Sequence, residues 1–301
     1  MSRSAFHVDD VTVIRAPSRV LARFAVAALA CGALGVCFAS PTLDRIRDSG
    51  KVTFAYRAQA APFSFKDRDG HIRGYSVEIC SRIAKAIGQA LKLQDLKVEW
   101  VAVDAKNRLE TVRSGRADAE CGTTTISLSR METVDFSLPI YVDGGSVLVH
   151  TGSKIVAMTD LKDRKIAVIP GTTTEQALTR QLSLLNAPAT IVPVKDADEG
   201  LSELIASKVD GFAGDRIVLD GLRLKATNSG GLWVLATDFS YEPYAIVVRR
   251  DDPDFRLAVN RALVGIYKGC EIDRIYQQWL APLGRPGPLL NSMYYLSTLP
   301  E

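Results

Sequence analysis

The chain has little net charge, few histidines and cysteines, and no second long apolar run. Its formal net charge is +3 over 301 residues, so composition gives no electrostatic reason to bind nucleic acid or anionic lipid. The chain has three histidines and five cysteines, and Cys80, Cys121 and Cys270 are too far apart in the sequence for a zinc site. No internal repeat or low-complexity tract is present. Nucleic-acid binding, structural zinc and a multi-span membrane protein are therefore disfavoured.

One apolar run, Phe24 to Phe38, lies near the start of the chain. Arg15, Arg19 and Arg23 precede it, and Cys37-Phe38-Ala39 ends in small side chains, which predicts a secretory signal cleaved after Ala39. Cleavage would lower the net charge from +3 to +1, because four arginines and two aspartates leave with the leader. We therefore expect residues 1–39 to be a signal peptide and the mature protein to be periplasmic.

Two alternatives to a cleaved leader remain open. The run could be an uncleaved anchor, although it is short for a membrane span of about 20 residues. Lipidation could occur at Cys31 or Cys37, although Val36 is large for the position before a lipidated cysteine.

Three cysteines, Cys80, Cys121 and Cys270, stay with the mature chain. An oxidising compartment permits one disulfide and one free thiol among them. The sequence does not choose the pair.

From Leu43 onward, strand-like and helix-like segments alternate as in an α/β protein. Apolar residues at intervals of four from Ile79 to Leu91 predict a helix. The predicted strands are Lys51–Tyr56, Val98–Val103, Lys165–Ile169, Thr190–Val194, Val209–Ala213 and Ala245–Val248. The other predicted helices are Arg108–Arg113, Thr174–Leu185, Glu199–Ala206, Asp254–Tyr267 and Glu271–Leu280, followed by a tail expected on the surface. Two such cycles predict two lobes with a ligand cleft at the strand ends.

The most specific stretch runs from Cys121 to Arg130 and is followed by Phe136-Ser-Leu-Pro-Ile-Tyr141. The hydroxyl and backbone N–H groups of Thr123 to Thr125 could bind a carboxylate, which Arg130 could hold with two hydrogen bonds. Taken in isolation, capping threonines and a surface arginine would explain the stretch more simply.

The wider context favours binding. Thr-x-Thr-x-x-x-x-Arg before Phe-Ser-x-Pro-x-Tyr resembles the signature of the extracellular solute-binding proteins of family 3, the amino-acid-binding components of ABC transporters. Gly74-Tyr75-Ser76-Val77-Glu78-Ile79 resembles a second family block, although Ser76 replaces the usual acidic residue. The resemblance extends over residues 42–280 and is strongest to the glutamate/aspartate-binding members. The segments that carry this narrower match are Tyr56-Arg57, Pro62-Phe63-Ser64, Asn107-Arg108, Glu120-Cys121-Gly122 and Gly171-Thr172-Thr173.

The resemblance implies the two-lobed type II periplasmic-binding-protein fold, an α/β fold that closes on a ligand around a two-strand hinge. We expect residues 40–146 and 245–285 in the first lobe, 147–244 in the second, and 286–301 as a C-terminal tail. The hinge strands are expected near Gly145–Val149 and Tyr244–Val248. The family implies no cofactor and no chemistry on the ligand. It implies an ABC-type membrane permease as partner, and we expect the protein to be a monomer.

The resemblance also implies roles at the ligand's two charged poles. Arg130 would hold the α-carboxylate with Thr125 and with Thr172 of the other lobe. Asp215 and Thr123 would accept from the α-ammonium group. A zwitterion that leaves water needs an opposite charge at each pole, because its desolvation otherwise outweighs the contacts.

Arg57 and Arg108 match positions that contact the side-chain carboxylate in the acidic-amino-acid binders. A further carboxylate in the ligand requires further cations, and two arginines provide them. Ala105, Ile169 and Ala197 stand where close relatives have serine, threonine and histidine, so we expect a roomier and less polar pocket than in those relatives.

Simpler interpretations of these residues remain. Arg57 could be a solvated arginine at a strand end, Arg108 an exposed residue in the first helical turn, and Asp215 a helix N-cap. Gly171-Thr172 could suggest a phosphate loop, but the sequence lacks the Walker lysine and spacing.

Two other function classes compete with transport. The same fold resembles periplasmic dehydratases that act on prephenate-like dicarboxylates, for which Asp215 or Glu175 would be the general acid. A sensory input domain would normally be followed by a transmembrane helix, and the polar tail to Glu301 disfavours it.

Overall fold

The computed structural model describes residues 40–226 and 231–300. The predicted leader, with Cys31 and Cys37, lies outside the described residues. Within these ranges, no helix combines the length and the apolar character that a membrane span requires.

Ten α-helices are described within residues 40–226 and 231–300. They are α1 Pro41–Ser49, α2 Tyr75–Ala90, α3 Arg108–Arg113, α4 Leu128–Met131, α5 Thr173–Leu184, α6 Ala197–Ile205, α7 Arg216–Lys225, α8 Pro253–Lys268, α9 Glu271–Trp279 and α10 Pro288–Leu296. Short 3-10 helices span Met158–Leu161 and Ala281–Leu283.

Thirteen strands are described in the same ranges. They are β1 Lys51–Arg57, β2 Gln59–Ala60, β3 Ser64–Lys66, β4 Ile72–Arg73, β5 Lys97–Val103, β6 Ala119–Glu120, β7 Val134–Asp143, β8 Gly145–His150, β9 Lys165–Val168, β10 Thr190–Pro193, β11 Gly211–Asp215, β12 Leu232–Val234 and β13 Glu242–Arg249.

Two five-stranded sheets with the same design form the two predicted lobes. In the first sheet, of order β5-β1-β6-β13-β7, the first three strands are parallel and β13 is antiparallel to both neighbours. The second, of order β10-β9-β11-β8-β12, has three parallel strands followed by the antiparallel β8. Strands β2, β3 and β4 form a small third sheet. The two-lobed α/β fold expected from the sequence is thus confirmed.

The chain passes between the two five-stranded sheets at two places within the described residues. It leaves β7 and enters β8 across Gly144, and it returns between β12 and β13, in residues 235–241. Of the two predicted hinge segments, Gly145–Val149 lies in β8 of the second sheet and Tyr244–Val248 lies in β13 of the first. The exact lobe limits, after residue 146 and before residue 245, stay a prediction.

Helix α2 shows why one glycine is required. Gly74 has φ of 130°, and a Cβ there would lie 2.3 Å from the backbone oxygen of Phe63. Only glycine tolerates both the conformation and the close approach. The helix then buries Ile79, Ile83 and Ile87 against the first sheet's core, as their spacing predicts.

The tail differs from its prediction. Residues 288–296 form α10, which buries Leu290 and Tyr294 in the core of the first lobe. The hydroxyl groups of Tyr294 and Tyr75 lie 2.6 Å apart. The prolines and glycines suggested a surface segment. One aliphatic and one aromatic side chain, four residues apart, are nevertheless enough to dock one face of a short helix.

Candidate ligand-binding site

A cleft between the two lobes collects most of the predicted site residues. It is lined by Arg57, Gln59, Ala60, Arg108, Thr123, Thr125, Ile169, Thr172, Thr173, Thr174, Ala197, Phe212, Ala213, Gly214, Asp215, Val218 and Leu219. Six of the seven predicted residues are in this set, and Arg130 is not. The structure therefore brings together side chains that are up to 158 positions apart in the sequence.

Arg57 ends β1 and is buried, with 7% of its surface exposed. Its backbone N–H donates to Ser64 Oγ at 2.9 Å, which fixes the strand end. Burial, together with a smaller effect of the nearby charge of Arg108, lowers the pKa of its guanidinium to about 10. The hypothesis of a solvated strand-end arginine is wrong, because solvation would leave the side chain exposed.

Arg108 begins α3 and is 3% exposed, so the hypothesis of an exposed first-turn arginine is also wrong. Its buried Nε has no hydrogen-bond partner among the described residues. Within those residues, neither Arg108 nor Arg57 has a carboxylate oxygen within 4.0 Å of its guanidinium. Buried cations normally have a charged partner. The arrangement suits an anion that binds in the cleft.

The threonine run makes two internal carboxylate contacts. Thr124 Oγ1 donates to Glu120 Oε2 at 2.7 Å, and Thr125 Oγ1 donates to Glu242 Oε2 at 2.6 Å. A hydroxyl has only one hydrogen to donate. The Thr125 hydroxyl is therefore already used as a donor, which the sequence did not indicate. Thr123 lines the cleft and is 7% exposed.

Arg130 belongs to the short helix α4 and lies beside the cleft lining. Its Nη1 donates to the backbone oxygen of Thr125 at 2.8 Å. Burial lowers the pKa of its guanidinium to about 10, with a further contribution from the charge of Arg108, while Glu242 acts in the opposite direction. Three arginines thus share one electrostatic environment.

Thr172 is the N-cap of α5 rather than an unengaged hydroxyl. Its Oγ1 accepts from the Glu175 N–H at 3.1 Å and donates to the Ile169 oxygen at 2.8 Å. Gly171 before it has φ of 78°. Glu175, one of the candidate general acids, accepts from the Gly171 N–H at 2.8 Å and does not line the cleft.

Asp215 occupies the N-cap position of α7 but makes no capping hydrogen bond. It accepts instead from Thr174 Oγ1 at 2.8 Å. Burial raises the pKa of its carboxyl, and the charge of Glu242 raises it further. The plain N-cap hypothesis is therefore wrong, and Asp215 lines the cleft.

Several site residues were missed by the sequence interpretation. Glu242 is 1% exposed and accepts from Thr125, Thr173 and Ser240, at 2.6, 2.6 and 2.7 Å. Glu120 is fully buried, and its Oε1 has no partner within the described residues. A glutamate within an otherwise apolar strand segment was the sequence signal that could have indicated both residues.

The remaining wall of the cleft is apolar, with side chains of Ile169, Ala197, Phe212, Val218 and Leu219. Ala105 lines an adjoining cavity, which shares Ile169 with the cleft and is completed by Asp104, Lys106, Pro170, Pro193, Val194 and Lys195.

A disulfide joins Cys80 of α2 to Cys121, two residues before Thr123. Cys270 is exposed and free. The structure thus chooses the pair that the sequence left open. The crosslink ties the segment that carries the threonine run to α2, which limits the conformations of that segment.

Comparisons with known proteins agree with this architecture. The model of the bacterial extracellular solute-binding proteins, family 3, matches residues 52–282. The L-glutamate/L-aspartate-binding protein of Pseudomonas aeruginosa is 31% identical over 252 residues, 83% of each chain. The glutamate/aspartate import solute-binding protein of Escherichia coli K12 is 28% identical over 260 residues, 86% of this chain and 85% of that protein.

A solved structure also resembles the chain. The ancestral amino acid-binding protein AncCDT-1, described as a precursor of cyclohexadienyl dehydratase, aligns with a TM-score of 0.68 at 29% identity, covering 79% of this chain and 98% of that one. The family model and the two relatives above are described as solute-binding proteins. The family model matches residues 52–282, which extend from β1 to just beyond α9. This chain therefore belongs to the bacterial extracellular solute-binding proteins of family 3.

Proposed function

We propose that the protein binds a free amino acid, with an acidic one favoured, and delivers it as a monomer to the membrane permease of an ABC-type importer. The observation that carries this proposal is the pair of buried arginines, Arg57 and Arg108, which have no carboxylate partner in the described residues and line the same cleft as Asp215. Such a site has a place for both poles of a zwitterion and for an additional anion.

At the ammonium pole, Asp215 accepts from the ligand, with Thr123 as a second acceptor. Charge-assisted hydrogen bonds of this kind are shorter and stronger than neutral ones. At the carboxylate pole, Arg130 donates from N–H groups other than the one bound to Thr125, because a guanidinium has five N–H donors. Thr172 and Thr125 contribute their backbone N–H groups, since both hydroxyls already donate within the protein.

At the side-chain pole, Arg57 and Arg108 hold a carboxylate. The similarity to two glutamate/aspartate-binding proteins supports this ligand class. The apolar wall and the small side chains of Ala105 and Ala197 provide space beside the arginines. A calorimetric screen of the mature protein against all common amino acids and small dicarboxylates tests the proposal. Acidic amino acids should give the tightest binding, and a screen without any binding amino acid would reject it.

The proposed function includes no catalysis. We expect no phenylpyruvate when the protein is incubated with prephenate, because Glu175 lies outside the cleft lining and the proposed role of Asp215 is to accept from an ammonium group. An ultraviolet assay for phenylpyruvate, with a cyclohexadienyl dehydratase as positive control, measures this. Turnover that disappears in Asp215→Asn would establish the dehydratase instead.

Export is the second expectation that follows from the proposed role. Cleavage after Ala39 should give a mature protein that begins at Ser40, because the basic and apolar leader precedes small side chains. Intact-mass spectrometry of protein isolated from the periplasm checks this. A retained leader, or a cysteine carrying a diacylglyceryl group, would contradict a soluble periplasmic receptor.

A further inference from the structure

One buried carboxylate contacts both lobes and the chain that passes between them. Glu242 begins β13 and is 1% exposed. Its Oε2 accepts from Thr125 Oγ1 and from Thr173 Oγ1, each at 2.6 Å, and its Oε1 accepts from Ser240 Oγ at 2.7 Å. In the described part of the chain, no arginine or lysine nitrogen lies within 4.0 Å of this carboxylate. The three hydroxyl groups therefore supply the hydrogen bonds that a buried carboxylate requires.

The contact with Thr125 lies within the first lobe. The residues on either side of Thr125 are hydrogen-bonded to the backbone of β13: the Ala245 N–H donates to the Thr124 oxygen at 3.1 Å, and the Ile126 N–H donates to the Pro243 oxygen at 2.8 Å. Because these bonds join the threonine run to a strand of the first sheet, the contact between Thr125 and Glu242 does not depend on the second lobe.

The contact with Ser240 reaches the two passages between the sheets. Ser240 lies in the return passage, residues 235–241, and its Oγ accepts from the N–H of Gly145 at 3.0 Å. Gly145 begins β8, immediately after the first passage at Gly144. Through Ser240, the Glu242 carboxylate is thus connected to both segments about which the lobes would turn.

The contact with Thr173 crosses from one lobe to the other. Thr173 begins α5, which buries Leu178 and Leu182 in the core of the second lobe. A separation of the lobes would carry α5 away from β13, because the helix is packed on the second sheet. The bond from Thr173 to Glu242 would then be lost, while those from Thr125 and Ser240 would stay. Of the three hydroxyl contacts, this one requires the two lobes to be together.

We propose that Glu242 is a positioning residue that holds the two lobes together around a bound ligand, by accepting from Thr173 only in the closed state. The inference rests on the proposed function, because it requires a ligand on which the lobes close. Glu242 is not among the residues that line the cleft, whereas Thr173 is. The carboxylate therefore acts on the lifetime of the complex through the opposite lobe, without touching the ligand.

Thr173→Val tests this role, because valine has nearly the shape of threonine but no hydroxyl group. A hydrogen bond that exists only in the closed state opposes opening, and hydrogen bonds to charged groups are stronger than neutral ones. We expect glutamate and glutamine to dissociate about tenfold faster or more from the variant, with association rates within about twofold of the unmodified protein. Stopped-flow fluorescence of the full periplasmic protein measures both rates, and titration calorimetry measures the affinity.

Two further threonine variants serve as controls. Thr173→Ser keeps the hydroxyl group and should restore the dissociation rate to within about twofold. Thr179→Val makes the same substitution on the exposed side of α5, where the hydroxyl donates to the Glu175 oxygen of its own helix at 2.9 Å. It should leave both rates unchanged, and thermal unfolding must show that each variant is folded.

A double variant distinguishes this role from a direct contact between Thr173 and the ligand. Glu242→Gln replaces charge-assisted hydrogen bonds with weaker neutral ones, so it should also speed dissociation. If Thr173 acts through Glu242, the two substitutions together should speed dissociation by less than the product of their separate factors. If Thr173 instead contacts the ligand, Thr173→Val should have the same factor in both backgrounds, and that result overturns the inference.

An unchanged dissociation rate in folded Thr173→Val also overturns the inference and leaves the proposed function intact. So does a rate in Thr173→Ser as fast as that in Thr173→Val, because the hydroxyl group would then have no part in the effect. These two results decide the question even if Glu242→Gln does not fold. An unmodified protein that binds no amino acid at all would reject the proposed function, and the inference with it.

Discussion

Replacing Arg130 with alanine should weaken binding of every amino acid by at least about a hundredfold, whatever the side chain. The substitution removes charge-assisted hydrogen bonds of about 1.5–3 kcal/mol each and leaves the α-carboxylate of the ligand without its cation in the closed cleft. Because every amino acid has that carboxylate, glutamate and glutamine should lose affinity by the same factor. Titration calorimetry of both ligands measures this.

The control for this variant is Arg113→Ala. Arg113 is exposed and pairs with Glu110 on the surface, so its removal should leave affinity within about twofold. Arg130→Ala also removes the bond from Nη1 to the Thr125 oxygen, and thermal unfolding must show that the variant is folded. Near-normal affinity in a folded variant would exclude Arg130 from the binding site.

Glutamate and aspartate should bind more tightly than glutamine and asparagine by about ten- to a hundredfold, or about 1.5–3 kcal/mol. When the lobes close and expel water, the charges of Arg57 and Arg108 must be neutralised. A carboxylate does so, whereas an amide presents a neutral dipole to two buried cations at low effective dielectric. Competitive calorimetry at one pH gives the ratio for each pair of ligands.

Changing both Arg57 and Arg108 to glutamine should reduce the affinity difference between the acidic ligands and their amides. Arg130→Ala should leave that difference unchanged. Arg47 and Arg113 provide the matched double control, because both are exposed and paired on the surface. Equal binding of glutamate and glutamine by the unmodified protein would mean that the two arginines do not contact the ligand side chain. That result would reject the acidic-ligand proposal and keep the fold and the amino-acid site.

Much of the fold was predictable because its signals are local. The four-residue spacing from Ile79 to Leu91 predicted α2, and the apolar strand segments predicted the parallel parts of both sheets. Helix α10 was not predicted, because its stability comes from docking Leu290 and Tyr294 onto the core of the first lobe, where Tyr294 contacts Tyr75, 219 positions earlier.

The site shows the same division. Arg57, Arg108 and Asp215 were recognised as candidates because each stands in a short motif. Their burial, and the partnerless Nε of Arg108, could not be seen in the sequence. The hydroxyl of Thr125 was expected to be available, and only the position of Glu242, 117 residues later, shows that its hydrogen is already donated.

The amino-acid order alone indicates the alternation of strands and helices, the predicted leader, the family resemblance and the residue types that suit a zwitterion. These depend on periodicity, composition and short spacing, which are properties of neighbouring residues. Tertiary structure decided that Cys80 pairs with Cys121 and that Asp215 accepts from Thr174 instead of capping α7. It also decided that the hydroxyl of Tyr244 in β13 donates to Asp143 at the end of β7. Distances between side chains, and the burial that changes their charge energetics, arise only when distant strands pack together.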